Sequence, residues 1–322
     1  MVYKPIIIVA GEPNSIFSEI FFKSLKLKKF KSPIILIASQ KIIKLQMRKL
    51  NIKIKIRLID FSDLKKKIQL DNKKINLINV SFNQKKPFDI ITSKSNNYIR
   101  ESFDIALEIL NTKITNKFIN GPISKKHFLK KKYLGITEYL AYKTKSKNFA
   151  MLIYNKDLSI CPITTHLPIK KVSKYISKDI IKKKIQLLDL FFKRYLKKTP
   201  RIAVTGLNPH CESIDVFNED EKIIKPSIKS LIQSNYKIFG PFAADTIFLK
   251  KNRSKYNIIV GMYHDQVLTP MKTLFEYNAI NITLGLPFLR ISPDHGPNEK
   301  MTGKNKSDPA SLIKAITFLD TK

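Results

Sequence analysis

Ile258-Ile259-Val260-Gly261-Met262-Tyr263-His264-Asp265-Gln266 sets a short apolar, β-branched run directly before a histidine and an aspartate. Branched side chains suit a pleated surface, and so short a run reads as a buried strand. The arrangement occurs twice more. Ile160-Cys161-Pro162-Ile163-Thr164-Thr165 precedes His166, and Ile202-Ala203-Val204-Thr205-Gly206-Leu207-Asn208-Pro209 precedes His210. Three of the five histidines therefore stand just beyond strand-like runs. Open α/β sheets bind ligands outside the carboxyl ends of their strands, and neutral imidazole is the commonest metal-binding side chain. A lone histidine in such a place is more often hydrogen-bonded packing than a ligand. The three together, with Asp245 and Asp265 as acidic residues in a basic chain, put a metal site level with that plainer reading.

Working outward, short β-branched runs alternate with longer amphipathic, lysine-studded segments. Ile6–Ala10, Pro33–Ala38, Lys117–Asn120, Phe149–Tyr154, Ser159–Ile163, Arg201–Thr205, Asn257–Gly261 and Ala279–Leu284 read as strands. Asn97–Asn111, Lys178–Lys197 and Glu221–Ser234 have helical length and spacing. This alternation predicts an α/β fold with a largely parallel sheet. At 322 residues the chain exceeds the size at which a single core usually divides, so two domains are expected. There is no internal repeat and no low-complexity linker.

Composition narrows the function classes. No apolar run reaches the length needed to span a bilayer, and the first ten residues read as a buried strand rather than a secretory signal. Two cysteines, Cys161 and Cys211, form neither a CxxC motif nor a disulfide framework, which fits a soluble cytoplasmic protein. Sixty Lys and Arg against 25 Asp and Glu give a net charge of +35. Such an excess suits a polyanion partner, a phosphorylated small substrate, or drift toward A+T-rich codons. Here it is spread along the whole chain, with no basic tail, zinc-finger spacing or RNP-like motif, which favours drift over nucleic-acid binding.

Other stretches add candidates. Asn120-Gly121-Pro122-Ile123-Ser124-Lys125 follows a strand and precedes an expected helix, a junction whose free N–H groups can face an anion; an ordinary tight turn is the plainer alternative. Gly135-Ile136-Thr137-Glu138 reads as a helix start, with Thr137 capping and Glu138 in the first turn. Arg290 ends another apolar run, and with Lys272 and Asn281 it offers two cations and an amide to a phosphate and a carboxylate. In so basic a chain, any single Lys or Arg is ordinarily solvated surface. Asp265, beside His264, is suited to orienting imidazole, binding metal or acid/base work.

Taken in order along nearly the whole chain, these motifs resemble the PdxA family of vitamin B6 biosynthesis. Thr-Thr-His-Leu-Pro at 164–168, Gly-Leu-Asn-Pro-His at 206–210, Tyr-His-Asp-Gln at 263–266 and the run Asn281–Arg290 carry the resemblance most specifically. It implies a two-domain fold similar to isocitrate/isopropylmalate dehydrogenases, with the active-site cleft between α/β domains at about 1–122 plus 265–322 and 123–264. It implies a metal-dependent dehydrogenase that uses NAD or NADP to oxidise the secondary alcohol of 4-phosphooxy-threonine, with decarboxylation following. His166, His210 and His264 would hold a divalent Zn, Mg or Co, one or more reaching across from the partner subunit of a homodimer. Thr137, Lys272, Asn281 and Arg290 would bind substrate. Asp245 or Asp265 would take the hydroxyl proton. Gly11 and the loop Asp294-His295-Gly296 would stand on the cofactor side.

Several positions depart from the family pattern. Ile136 replaces a substrate-binding histidine, and Phe17 replaces a glycine of the N-terminal motif. Cys211-Glu212 stands for Ala-Gly-Glu, and the cofactor-side loop continues as Pro297-Asn298 instead of Thr-Ala. Ile136 also keeps open a relative acting on phosphothreonate or phosphoerythronate. A decayed family member that only binds is a further alternative, opposed by the three retained histidines.

Overall fold

The computed structural model describes residues 3–66, 68–129, 132–276, 278–293 and 295–321. Twelve strands lie among them: β1 (Ile6–Val9), β2 (Ile34–Ala38), β3 (Ile56–Leu58), β4 (Ile75–Asn79), β5 (Lys117–Asn120), β6 (Ala150–Tyr154), β7 (Ser159–Pro162), β8 (Ile202–Thr205), β9 (Ile238–Phe242), β10 (Ile258–Gly261), β11 (Ile280–Leu284) and β12 (Leu289–Ser292). The chain divides into two compact units, Met1–Tyr139 with Pro287–Lys322, and Leu140–Leu286. The sequence reading put these divisions at 122/123 and 264/265. The later boundaries have local causes. The helix His264–Phe275 packs on β7 and β10, and β11 pairs antiparallel with β6 from Ile280↔Tyr154 to Leu284↔Ala150.

The first unit has strand order β3-β4-β2-β1-β5-β12, parallel throughout. β1 lies between β2 and β5, and its run Ile6-Ile7-Ile8-Val9 is fully buried, as a strand covered on both faces must be. The helix Asn96–Asn111 buries Tyr98, Ile99, Ser102, Phe103, Ala106, Leu107, Ile109 and Leu110, the spacing of one helical face. Asn120–Lys125 leads not into an α-helix but into a single wide turn, Lys125–Leu129. The Gly121 N–H there donates to Val9 O at 2.8 Å, so it extends the pairing of β5 with β1 rather than facing an anion.

The second unit has strand order β11-β6-β7-β10-β8-β9. β7, β10, β8 and β9 run parallel, while β6 is antiparallel to β7 and to β11. Its core gathers Met151, Ile153, Ile160, Ala203, Ile259, Val267 and Met271. Ser177 caps the helix Lys178–Phe191 by accepting from Ile180 N, and the helix widens into a π-type turn at Phe192–Leu196. None of the described helices is long and apolar enough to cross a membrane.

Candidate functional site

In the first unit β5 and β12 are neighbours, with Arg290 opposite Phe118. Arg290 is only 1% exposed, an uncommon setting for a charge. Its Nε donates to Asn120 Oδ1 at 2.8 Å and its Nη1 to Thr137 Oγ1 at 3.3 Å. Burial pulls the guanidinium below its ordinary value, and the Glu138 carboxylate opposes that pull. A guanidinium starts so high that it remains charged at neutral pH. The amide and hydroxyl oxygens are neutral acceptors that orient it, and a planar guanidinium is the group best matched to a phosphate or carboxylate.

Aromatic packing fixes this corner. Phe118 meets Phe288 edge-on at 5.6 Å and Phe103 at 6.2 Å, and Tyr139 meets Phe103 at 5.7 Å and Phe128 at 5.4 Å. Tyr139 sits in the helix Ile136–Lys143, so the ring cluster holds the helix start that carries Thr137. Thr137 is not the cap that the local pattern suggested: the helix begins at Ile136, and the hydroxyl turns to Arg290. Asn120 is the partner that the sequence reading did not single out. Its signals were its place at the end of a strand-like run and at the head of the Asn120–Lys125 junction.

In the second unit β7, β10 and β8 are adjacent and parallel, and each leads toward one of the three histidines. The pairing of β7 and β10 continues past both strands: Ile163 N donates to Gly261 O at 2.7 Å, and Thr164 Oγ1 to Met262 O at 2.8 Å. His166 and His264 lie two residues beyond those last tied positions. Their rings accordingly stand together, centroids 5.8 Å apart. Two imidazoles on one tetrahedral ion stand roughly 5–6 Å apart by centroid, given metal–nitrogen bonds of about 2 Å. Asp265 Oδ1 lies 2.6 Å from His264 Nδ1, the contact of a carboxylate that accepts from an imidazole N–H and orients the ring. The donor set thus fits a divalent ion in part.

His210 is exposed, with φ 55°, and the next residue, the buried Cys211, is also left-handed, with φ 64°. Among the described residues no group of three His, Cys, Asp or Glu is arranged to hold a metal. The turn is tightly held nonetheless. Asp220, fully buried, accepts from Leu207 N at 2.8 Å, Asn208 N at 3.1 Å and Asn208 Nδ2 at 3.0 Å. A Cβ on Gly206 would overlap that carboxylate, so the close approach requires glycine there.

Asp245 and Asp265 both line an open hollow of about 570 Å³, with Tyr263, Gln266 and Thr269. Lys272 lies on the helix His264–Phe275, and burial lowers its ammonium from the ordinary value. Asn281 is on β11, its Oδ1 buried without a hydrogen-bond partner among the described residues. Lys272 and Asn281 belong to the second unit, Thr137 and Arg290 to the first.

On the expected cofactor side, Gly11 has φ +76°, and a Cβ there would overlap the Pro122 carbonyl oxygen. Its glycine is therefore required by the packing of β1 against the turn after β5. Phe17 is 2% exposed and stacks on Phe21 at 6.1 Å, so it fills the interior. His295 Nδ1 lies 3.0 Å from Gly296 O, which leaves a buried Nε2 without a hydrogen-bond partner among the described residues. A Cβ on Gly296 would meet nothing within 4 Å. Asp294 lies outside the described residues. An orphaned imidazole nitrogen beside an open backbone suits a hydrogen-bonding ligand.

A family model described as Pyridoxal phosphate biosynthetic protein PdxA matches residues 29–319. A 4-hydroxythreonine-4-phosphate dehydrogenase of Sulfurihydrogenibium is 35% identical over 315 residues, 96% of this chain and 95% of that one. A D-threonate 4-phosphate dehydrogenase of Pectobacterium atrosepticum is 37% identical over 185 residues, 57% of each. The crystal structure of a 4-hydroxythreonine-4-phosphate dehydrogenase from Klebsiella pneumoniae superposes with a TM-score of 0.85 at 26% identity, covering 99% of both chains.

Proposed function

The chain belongs to the PdxA family of pyridoxal phosphate biosynthetic proteins, and on that premise we propose that it oxidises 4-phosphooxy-L-threonine with NAD or NADP. The secondary alcohol gives up a hydride to the cofactor and a proton to a base, forming 2-amino-3-oxo-4-phosphooxybutanoate. Loss of carbon dioxide then yields 3-amino-2-oxopropyl phosphate. The observation that carries this reading is Arg290, a buried guanidinium oriented by Asn120 and Thr137 and suited to one anionic group of such a substrate.

The chain's residues take the following parts. Thr137 and Arg290 bind and orient an anionic end of the substrate, and Lys272 and Asn281 supply a further cation and amide. Asp265 orients His264 through Nδ1, which leaves Asp245 as the freer carboxylate to accept the hydroxyl proton. Gly11, Asp294, His295 and Gly296 form the nicotinamide side, with His295 Nε2 offering a hydrogen bond. A divalent zinc, magnesium or cobalt held by His166 and His264, with His210 of the partner subunit, supplies Lewis-acid polarisation of the alcohol oxygen when bound.

The homodimer draws support from the segment after His210. Ile214 and Val216 are fully exposed and Phe217 is 56% exposed, an apolar patch that a second copy would cover. Buried free thiols at Cys161 and Cys211 support a cytoplasmic setting.

A second reading takes D-threonate 4-phosphate, in which a hydroxyl replaces the ammonium group. Relatives of both names match at comparable identity, and Ile136 stands where the family pattern has a substrate-binding histidine. NAD(P)H formation with purified protein, each substrate and each of the three metals separates the two. Turnover of neither substrate with either cofactor overturns the dehydrogenase reading.

A further inference from the structure

Two residues beyond His264, the side-chain amide of Gln266 makes three hydrogen bonds. Its Oε1 accepts from Met262 N at 2.7 Å and from Thr205 Oγ1 at 2.8 Å, and its Nε2 donates to Gly206 O at 2.8 Å. These partners stand at the carboxyl ends of two neighbouring strands. Met262 follows β10 and leads into the helix of His264. Thr205 ends β8, and Gly206 opens the turn of His210. One side chain thus fastens the origin of one histidine segment to the origin of another.

The residue type is dictated by this task. The position needs an acceptor with two lone pairs and a donor on the same short side chain, which an amide provides. A glutamate lacks the donor, a lysine lacks the acceptor, and a methionine of similar length lacks the donor and offers only a weak sulfur acceptor. The turn it holds also needs holding. His210 and Cys211 are consecutive non-glycine residues in the left-handed region, each costing roughly 1–2 kcal/mol. Such conformations persist where the surroundings over-determine them, often at functional sites. Asp220 secures the turn from one side, through Leu207 and Asn208, and Gln266 secures it at Gly206.

We infer that Gln266 is a positioning residue that locks the end of β8, where the His210 turn begins, to the start of the His264 helix, so that one side chain steadies one ligand of each of the two sites that a chain would share with its partner. Its metal consequence rests on the proposed role of these histidines as ligands; its hold on the two strand ends does not. Removing an outer support of a metal-binding imidazole typically lowers metal affinity about 10–100-fold.

The test compares wild type, Gln266→Met and Gln266→Glu by Co²⁺ titration, the cobalt d–d spectrum and amide hydrogen exchange of metal-free protein. Gln266→Met is expected to weaken Co²⁺ binding about 10–100-fold, alter the d–d bands, and speed exchange at Met262 and across Gly206–Cys211. Gln266→Glu retains the acceptor bonds to Met262 and Thr205 and should recover part of both effects. Unchanged exchange in Gln266→Met overturns the inference, as does unchanged Co²⁺ affinity with altered exchange. A wild-type protein without a histidine-bound Co²⁺ spectrum instead overturns the metal reading and leaves exchange alone to decide the positioning role. If Gln266→Met fails to fold, Thr205→Val removes one of the three bonds at nearly constant volume, and a smaller change in the same direction is expected.

Discussion

Arg290 and the histidines occupy opposite kinds of environment. Arg290 is 1% exposed, bonded within its own unit to Asn120 and Thr137, and packed beside interlocked aromatic rings. The His264 side chain is 34% exposed, and His166 and His210 lie open to solvent. A charge that one unit orients by itself is built into the core, where packing fixes it. The exposed imidazoles instead take their placement from the strand ends and turns beneath them. The first arrangement costs desolvation of a cation, a cost that the second avoids.

The largest expected effect lies on the exposed side. His264→Ala should lower kcat by on the order of 1,000-fold under saturating metal while the unfolding midpoint stays near that of wild type. A large loss of stability with activity retained would reverse the contrast between the two regions. Arg290→Lys keeps the charge but loses the planar fork that reaches Asn120 and Thr137. It should lower kcat/KM on the order of 100-fold, mostly through KM, and also lower the unfolding midpoint because the site is buried. Wild-type KM in that variant would mean that the guanidinium only packs.

The smallest effect concerns another buried charge of the first unit. Glu12 is 1% exposed, and desolvation raises its carboxyl above the ordinary range against the hydrogen bonds from Ser95 and Asn14. A raised folded-state pKa means that its stabilising contribution is full below the unfolded value near 4.5 and is lost as pH rises through the raised value. The stability of wild type relative to Glu12→Gln should therefore increase as pH falls from neutral toward that range. Urea unfolding of both proteins across pH measures the difference, and a wild type that loses stability relative to Glu12→Gln on acidification contradicts it.

What could be read from the sequence divides along physical lines. The buried strands of Ile and Val announced themselves, because burial on both faces leaves nothing polar in the run. β3 and β4 did not, since β3 is largely half-exposed and β4 carries Asn76 and Asn79. β12 was hidden by Arg290, whose charge contradicts a buried strand until Asn120 and Thr137 are seen around it. Thr137 was misread as a cap because capping is a local pattern, whereas its real partner lies 153 residues away. The three histidines were legible as strand-end residues. The roles of Gln266 and Asp220 were not, because they follow from the β8–β10 pairing and a loop's path, which local spacing does not encode.

The most direct test of the proposed site is complementation between inactive variants in mixed dimers. If His166 and His264 serve one ion from one chain and His210 serves it from the other, pairing His210→Ala with His264→Ala leaves one intact site per mixed dimer. Random reassembly of equal amounts should then recover about a quarter of wild-type activity, since about half the dimers are mixed and half their sites are whole. Pairing His166→Ala with His264→Ala should recover none. Recovery in the second mixture but not the first would contradict the account.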